Sequence, residues 1–165
     1  CRFSKQVEEQ KINKIQDRIG EPATPEAIKA FEEGYGMSLP SDYRGFLQSQ
    51  NGGRPEKISR VFTFQKEYGW TSDSLIDWFS GLSDGEAYSL EEGLDISEDL
   101  IPEGMLPIAC DPFGNLILLG DGLQSNLGVW FWGHEIAPTE INKAGIFKVA
   151  PSFDKFIENL EALPE

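Results

Sequence analysis

Two nearly uninterrupted apolar runs, Met105 to Cys110 and Leu116 to Leu119, stand on either side of Asp111-Pro112-Phe113-Gly114-Asn115. Short apolar runs bounded by turn residues read as strands, and the segment between them reads as a hairpin turn. A strand with one wet face alternates polar and apolar residues. These two do not, so the pair belongs in the middle of a sheet that is covered on both sides.

The remaining elements must supply that cover. Arg60 to Phe64, Gly128 to Trp132 and Gly145 to Val149 are strands by composition, and Gly120 to Gly128 is a polar loop. Successive strand residues point to opposite faces, so Trp130 and Trp132 share one side and Phe131 takes the other. Ser74 to Leu82 fits either a helical face or a strand. Ser89-Leu90-Glu91-Glu92 has capping-box spacing and predicts a short helix that Gly93 ends. Ile101-Pro102-Glu103-Gly104 is a turn, and Pro151-Ser152 caps a closing helix with Phe153, Phe156, Ile157, Leu160 and Leu163 on one face.

Helices dominate the first third of the chain. Phe3, Val7, Ile12, Ile15 and Ile19 form a stripe that predicts a helix ended by Gly20 and Pro22. Thr24-Pro25-Glu26 is a start signal for a second helix. Ala27, Ile28, Phe31 and Tyr35 share one side of it, and Gly34 and Gly36 end it. Leu39 to Gly53 predicts a third. Pro40 sets its entrance, Ser41 or Asp42 offers a cap, Leu39, Tyr43, Phe46, Leu47 and Gln50 share a side, and Asn51-Gly52-Gly53 terminates it. The expected core is Tyr43, Phe46, Leu47, Ile108, Ile117, Leu118, Phe153, Phe156 and Leu160. The fold class is α+β: a largely antiparallel sheet of about five or six strands with helices packed on it, N-terminal helices, and a closing C-terminal helix.

Leu-Pro-x-Asp-Tyr, then Phe-Leu, then Asn-Gly-Gly resembles the signature helix of the SUKH superfamily, which includes the Smi/Knr cell-wall regulators. Later segments resemble it in order: Leu106-Pro107-Ile108-Ala109 into Asp111 and Gly114-Asn115, Val129-Trp130-Phe131-Trp132 into His134-Glu135, and Ser152-Phe153-x-x-Phe156. The resemblance covers residues 24–163. It favours a strand for Ser74 to Leu82 and a single domain over 1–165, with an N-terminal helix over 1–22 and the family core over 23–165.

The charge distribution is one-sided. The chain carries 28 acids against 14 bases, and residues 67–142 hold 15 acids and no Lys or Arg. Such a surface repels nucleic acid and anionic lipid and attracts a cationic partner. No apolar run approaches the roughly 20 residues of a membrane helix, and no signal peptide is visible. Two cysteines, Cys1 and Cys110, do not make a disulfide framework, which points to the cytoplasm. Cys1 is not expected to be a lipid-modified terminus, because Arg2-Phe3 run straight into a helical pattern.

Chemistry is sparse. His134 is the only histidine, there is no CxxC pair and no phosphate-binding glycine loop, and Cys110 ends an apolar strand. The carboxylate pairs Asp73/Asp77, Asp84/Glu86, Glu91/Glu92 and Glu98/Asp99 match no calcium loop. The residues predict no catalytic, cofactor-binding or metal-binding set and no cofactor. Candidate partner-binding residues are Asp73, Asp77, Asp84, Glu86, Glu91 and Glu92, with Trp130 and Trp132 as an aromatic alternative. The resemblance implies a non-enzymatic immunity protein that binds and neutralises a basic, nuclease-type toxin domain. The alternatives are a regulatory interaction module and a small-ligand domain. Oligomeric state is left open.

Overall fold

The computed structural model describes residues 15–16, 21–56, 60–66, 69–82, 89–120, 127–139 and 145–162. Among them, four helices pack with a five-stranded antiparallel sheet and two two-stranded pairs. The α+β architecture and the closing helix are as the sequence predicts. The strands are β1 (Ile15–Gln16), β2 (Arg54–Pro55), β3 (Val61–Gln65), β4 (Thr71–Leu75), β5 (Trp78–Phe79), β6 (Met105–Cys110), β7 (Leu116–Gly120), β8 (Val129–Trp132) and β9 (Ile146–Ala150). The helices are α1 (Pro25–Tyr35), α2 (Ser41–Ser49), α3 (Leu90–Ser97) and α4 (Phe153–Glu158).

The large sheet is a meander in the order β5-β6-β7-β8-β9. The apolar hairpin β6–β7 lies within it, with Leu106 opposite Leu119 and Cys110 opposite Leu116. Pro107 has no N–H to give a central ladder, and the register shifts between Pro107 and Ala109, the bulge at which a sheet accommodates a proline. Both faces of the hairpin are covered. Leu106, Ile108, Ile117 and Leu119 face the main core, while Leu118 and Met105 face a smaller cluster with Ile146.

The main core is aromatic. The β3–β4 pair lies over β8 and β9, with Phe64 stacked on Phe131 at 4.2 Å between centroids and Phe62 at 5.9 Å from the same ring. Tyr43 of α2 meets Phe153 of α4 edge-on at 5.0 Å. Of the expected core residues, Tyr43, Leu47, Ile108, Ile117, Leu118, Phe153, Phe156 and Leu160 are buried. Phe46 is only half-buried, since it lies at the edge of α2 where Tyr43, Phe79 and Phe153 cover its inner side.

The helix ends follow local chemistry. Thr24, Ser89 and Ser152 each accept a hydrogen bond from the backbone N–H three residues on. Gly36 closes α1 in the left-handed region at φ 65°, whereas Gly34 lies inside the helix and Ala27 is exposed. Asp42 serves two helices: one carboxylate oxygen accepts from Tyr43 N in α2 and the other from Asp154 N in α4. The predicted strand over Ser74 to Leu82 is divided into β4 and β5.

Two predicted boundaries are corrected. Ile15 and Gln16 pair antiparallel with Pro55 and Arg54, so the first helix does not run through them. The open strand edge at Arg54–Pro55 competes for the same backbone groups, which a periodicity of side chains does not register. The rest of that helix, and Leu163, lie outside the described residues. Gly93 does not end α3, which continues to Ser97. Gly93 lies inside the helix at a position where a Cβ would make only ordinary contact with Pro107, at 3.7 Å.

Candidate functional site

The signature stretch is a structural joint. After α2, Asn51, Gly52 and Gly53 all have positive φ, at 49°, 87° and 130°. This turns the chain onto the edge strand β5, where Gly53 and Phe79 exchange both backbone hydrogen bonds, at 3.0 and 2.8 Å. Asn51 is buried, and its amide nitrogen donates to the carbonyls of Glu21 and Leu82 while its oxygen accepts from Leu82 N. Gly52 and Gly81 are required by contact. A Cβ on Gly52 would lie 2.9 Å from Phe79 O, and one on Gly81 would run into Asn51 O. The two glycines and Asn51 are thus spent on joining α2 to the sheet.

A second polar knot holds the β6–β7 turn. Asp111 is buried, with one oxygen accepting from Phe113 N and Asn115 N and the other from the Ser74 hydroxyl and the Asn115 amide. Asn115 Oδ1 accepts from His134 N at 3.0 Å and lies 2.8 Å from His134 Nδ1, which therefore carries the ring proton. His134 is exposed, with Nε2 3.8 Å from Glu135. The arrangement ties two turns together and presents no nucleophile beside the ring among the described residues. The Cys110 thiol is pushed up to about 11, chiefly by burial and then by the Asp77 charge, with a backbone hydrogen bond from Trp78 opposing the shift. A thiol so disposed is a poor nucleophile at neutral pH.

The expected partner-binding acids occupy separate elements. Asp73, on β4, is exposed and accepts from the Thr63 hydroxyl at 2.7 Å. Asp77 pairs with Arg54 at 3.3 Å, so part of its charge is compensated. Glu92 is exposed in the first turn of α3. Its neighbour Glu91 is half-buried, and its charge acts on the hydroxyls of Tyr43 and Tyr35. Asp84 and Glu86 lie outside the described residues. Trp130 and Trp132 do share a face, half-buried against Met105, Leu118 and Ile146, with Lys148 Nζ 4.5 Å from the Trp130 ring centroid. Phe131 is on the opposite face, in the main core.

A larger acidic feature escapes a reading that stops α3 at Gly93. The continued helix sets Asp95, Glu98 and Asp99 beside Glu103, around a groove of about 470 Å³ whose walls include Tyr35, Met37, Leu94 and Ile101. The spacing of Leu90, Leu94, Ser97 and Ile101 is the sequence signal that marks this extension. Among the described residues, no cluster of three or more His, Cys, Asp or Glu is placed to hold a metal ion. No helix of the described residues is long and apolar enough to cross a membrane.

A joint built from Asn-Gly-Gly at the end of α2, feeding the edge of a five-stranded meander, defines a class of small α+β domain. The sequence places the chain in it by name: residues 22–159 match the model of the SMI1/KNR4 family (SUKH-1), and the chain belongs to that family. The family spans immunity-type and regulatory modules and is generally non-enzymatic. The chain is also similar to the SPbeta prophage-derived uncharacterized protein YokK of Bacillus subtilis (strain 168). The two are 30% identical over 151 residues, which cover 83% of this chain and 74% of that protein.

Proposed function

We propose that this protein is a non-enzymatic immunity protein that acts in the cytoplasm by binding and neutralising a basic toxin domain. The observation that carries the reading is the charge distribution: 15 acids and no Lys or Arg over residues 67–142, in a chain of net charge −14. A nuclease-type toxin is basic where it grips phosphate, and an acidic surface fits that region and accelerates the encounter. Family membership supports a protein partner rather than a substrate. Interface acids are proposed among Asp73, Asp77, Asp84, Glu86, Glu91 and Glu92, with Trp130 and Trp132 as the aromatic alternative. Asp73 and Glu92 are the exposed members among those described.

The test is co-expression with a basic nuclease-type toxin domain, chosen from those encoded beside its gene. The expected result is protected growth and a complex that co-purifies, with an association rate that falls as salt rises over a Debye length of about 8 Å at physiological ionic strength. Absence of both protection and a complex would overturn the proposal. A complex whose association rate ignores salt would remove the electrostatic part of it.

A further inference from the structure

Helices α1 and α3 both finish beside one open groove. Its walls are apolar: Tyr35 and Met37 come from the end of α1 and the segment after it, Leu94 from α3, Ile101 from the turn before β6 and Met105 from the start of β6. Its rim is acidic. Asp95, Glu98, Asp99 and Glu103 are all exposed, and none of the described lining residues is basic. Ile96 in α3 and Leu100 just after it are 69% and 56% exposed, unusually apolar for a solvated helix end.

The electrostatics are one-sided in a second way. The C-terminal end of a helix is negative and is ordinarily complemented by a base. Neither α1 nor α3 has a basic residue in its last turn, and α3 is followed directly by Glu98 and Asp99. Acids at that end disfavour the isolated fold, and a local violation of this kind belongs where function requires it. The Tyr35 hydroxyl feels the same field. Its pKa is raised, first by desolvation and then by the charges of Asp95 and Glu91.

The chemistry of an occupant follows. The carboxylates are spread along a rim and not gathered around a point, and they form no metal-holding cluster. An apolar floor with a negative rim suits side chains that join an aliphatic stem to a cationic head, as lysine and arginine do. We propose that this groove receives a basic segment of the protein partner, its Lys or Arg heads at Asp95, Glu98, Asp99 and Glu103 and an apolar anchor against Leu94 and Ile101. The inference rests on the basic-partner reading above and moves its centre to a face that Asp73 and Asp77 do not line. Rim charges govern the encounter and the buried anchor governs residence.

The test uses the full chain, isotopically labelled, titrated with a short helical peptide of leucine and lysine. Amide shifts are expected to concentrate at 35–37 and 94–105. A leucine–glutamate peptide should not bind, and a serine–lysine peptide of equal charge should bind more weakly. Combining Asp95→Asn, Glu98→Gln, Asp99→Asn and Glu103→Gln should weaken the leucine–lysine peptide about tenfold, while Asp73→Asn with Glu92→Gln should leave its affinity within about twofold. Tyr35→Ala, a milder change at a partly exposed position, should weaken it in the same direction without altering the spectrum elsewhere. Shifts centred on another face, no binding, or an unchanged affinity in the fourfold variant would each overturn the groove. The peptide is not the toxin, so a failed protection assay with intact groove binding overturns the immunity reading alone.

Discussion

Replacing Tyr43 with Phe should stabilise the protein. Tyr43 is fully buried between α2 and α4, and its hydroxyl has no hydrogen-bond partner among the described residues. Its ring does the packing, 5.0 Å from Phe153 and 5.9 Å from Phe46, and phenylalanine preserves that ring. Burying an unpaired hydroxyl costs about 1–3 kcal/mol, so its removal should raise stability by about 1–2 kcal/mol. For a domain of this size that is a rise of roughly 3–6 °C in Tm. A pH dependence follows from the same burial. Desolvation first, and the Glu91 charge second, raise the Tyr43 pKa above its ordinary value near 10. The folded state therefore keeps a proton that the unfolded chain loses above about pH 10, and stability due to this group, intact below that pH, falls by about 1.4 kcal/mol per pH unit above it. Tyr43→Phe should remove that share of the alkaline slope, whereas Lys148 and Cys110 titrate in both proteins and cancel in the comparison. Urea unfolding of both proteins from pH 7 to 11 measures each effect. A variant less stable by about 1 kcal/mol would show that the hydroxyl is satisfied, and identical alkaline slopes would refute the burial argument.

Other expected outcomes concern the joint and the core edge. Gly81→Ala should cost at least about 2–3 kcal/mol in urea unfolding, since its Cβ meets the Asn51 carbonyl oxygen. Asn51→Ala should cost about 2–4 kcal/mol by losing three hydrogen bonds at a positive φ, and Asn51→Asp more, because a carboxylate would then face the carbonyls of Glu21 and Leu82. Phe46→Ala should cost about 2–3 kcal/mol, below the roughly 3–5 kcal/mol of a fully enclosed phenylalanine. Cys110 should resist alkylation at pH 7.5 in the native protein and react on unfolding, and fast native labelling would contradict its raised pKa.

Much of the fold was legible because it is written in local chemistry. Thr24, Ser89 and Ser152 cap helices through bonds spanning three residues, and Asn51-Gly52-Gly53 ends α2 by backbone conformations that few residues tolerate. The apolar runs at β6 and β7 declare double cover without reference to any distant residue. What was not legible depends on tertiary competition. Gly93 reads as a terminator, yet the helix runs through it to Ser97, with Leu94 packed against the main core. Ile15 fits a helical stripe, yet its backbone pairs with Pro55. The acidic groove followed the first of these errors, because Asp95, Glu98 and Asp99 share a helix end only if α3 passes Gly93. Asp77 looked like a free acid, and only the fold brings Arg54 to it from 23 residues away.

The closing segment also bears on when the protein becomes competent. Glu161 exchanges backbone hydrogen bonds with Val61, and its carbonyl also accepts from Arg60. Asp154 N meets Asp42 across 112 residues. Until those late residues leave the ribosome, β3 has an unpaired edge and Phe62 lacks Phe156, which lies 5.8 Å away in the finished fold. Contacts so distant in sequence form slowly, and an open strand edge is the part of a nascent chain most prone to pair wrongly. The domain can therefore close only once residues 153–161 have been made. Loss of residues 153–161 should yield an aggregating chain, measurable by light scattering, and not a weakened binder.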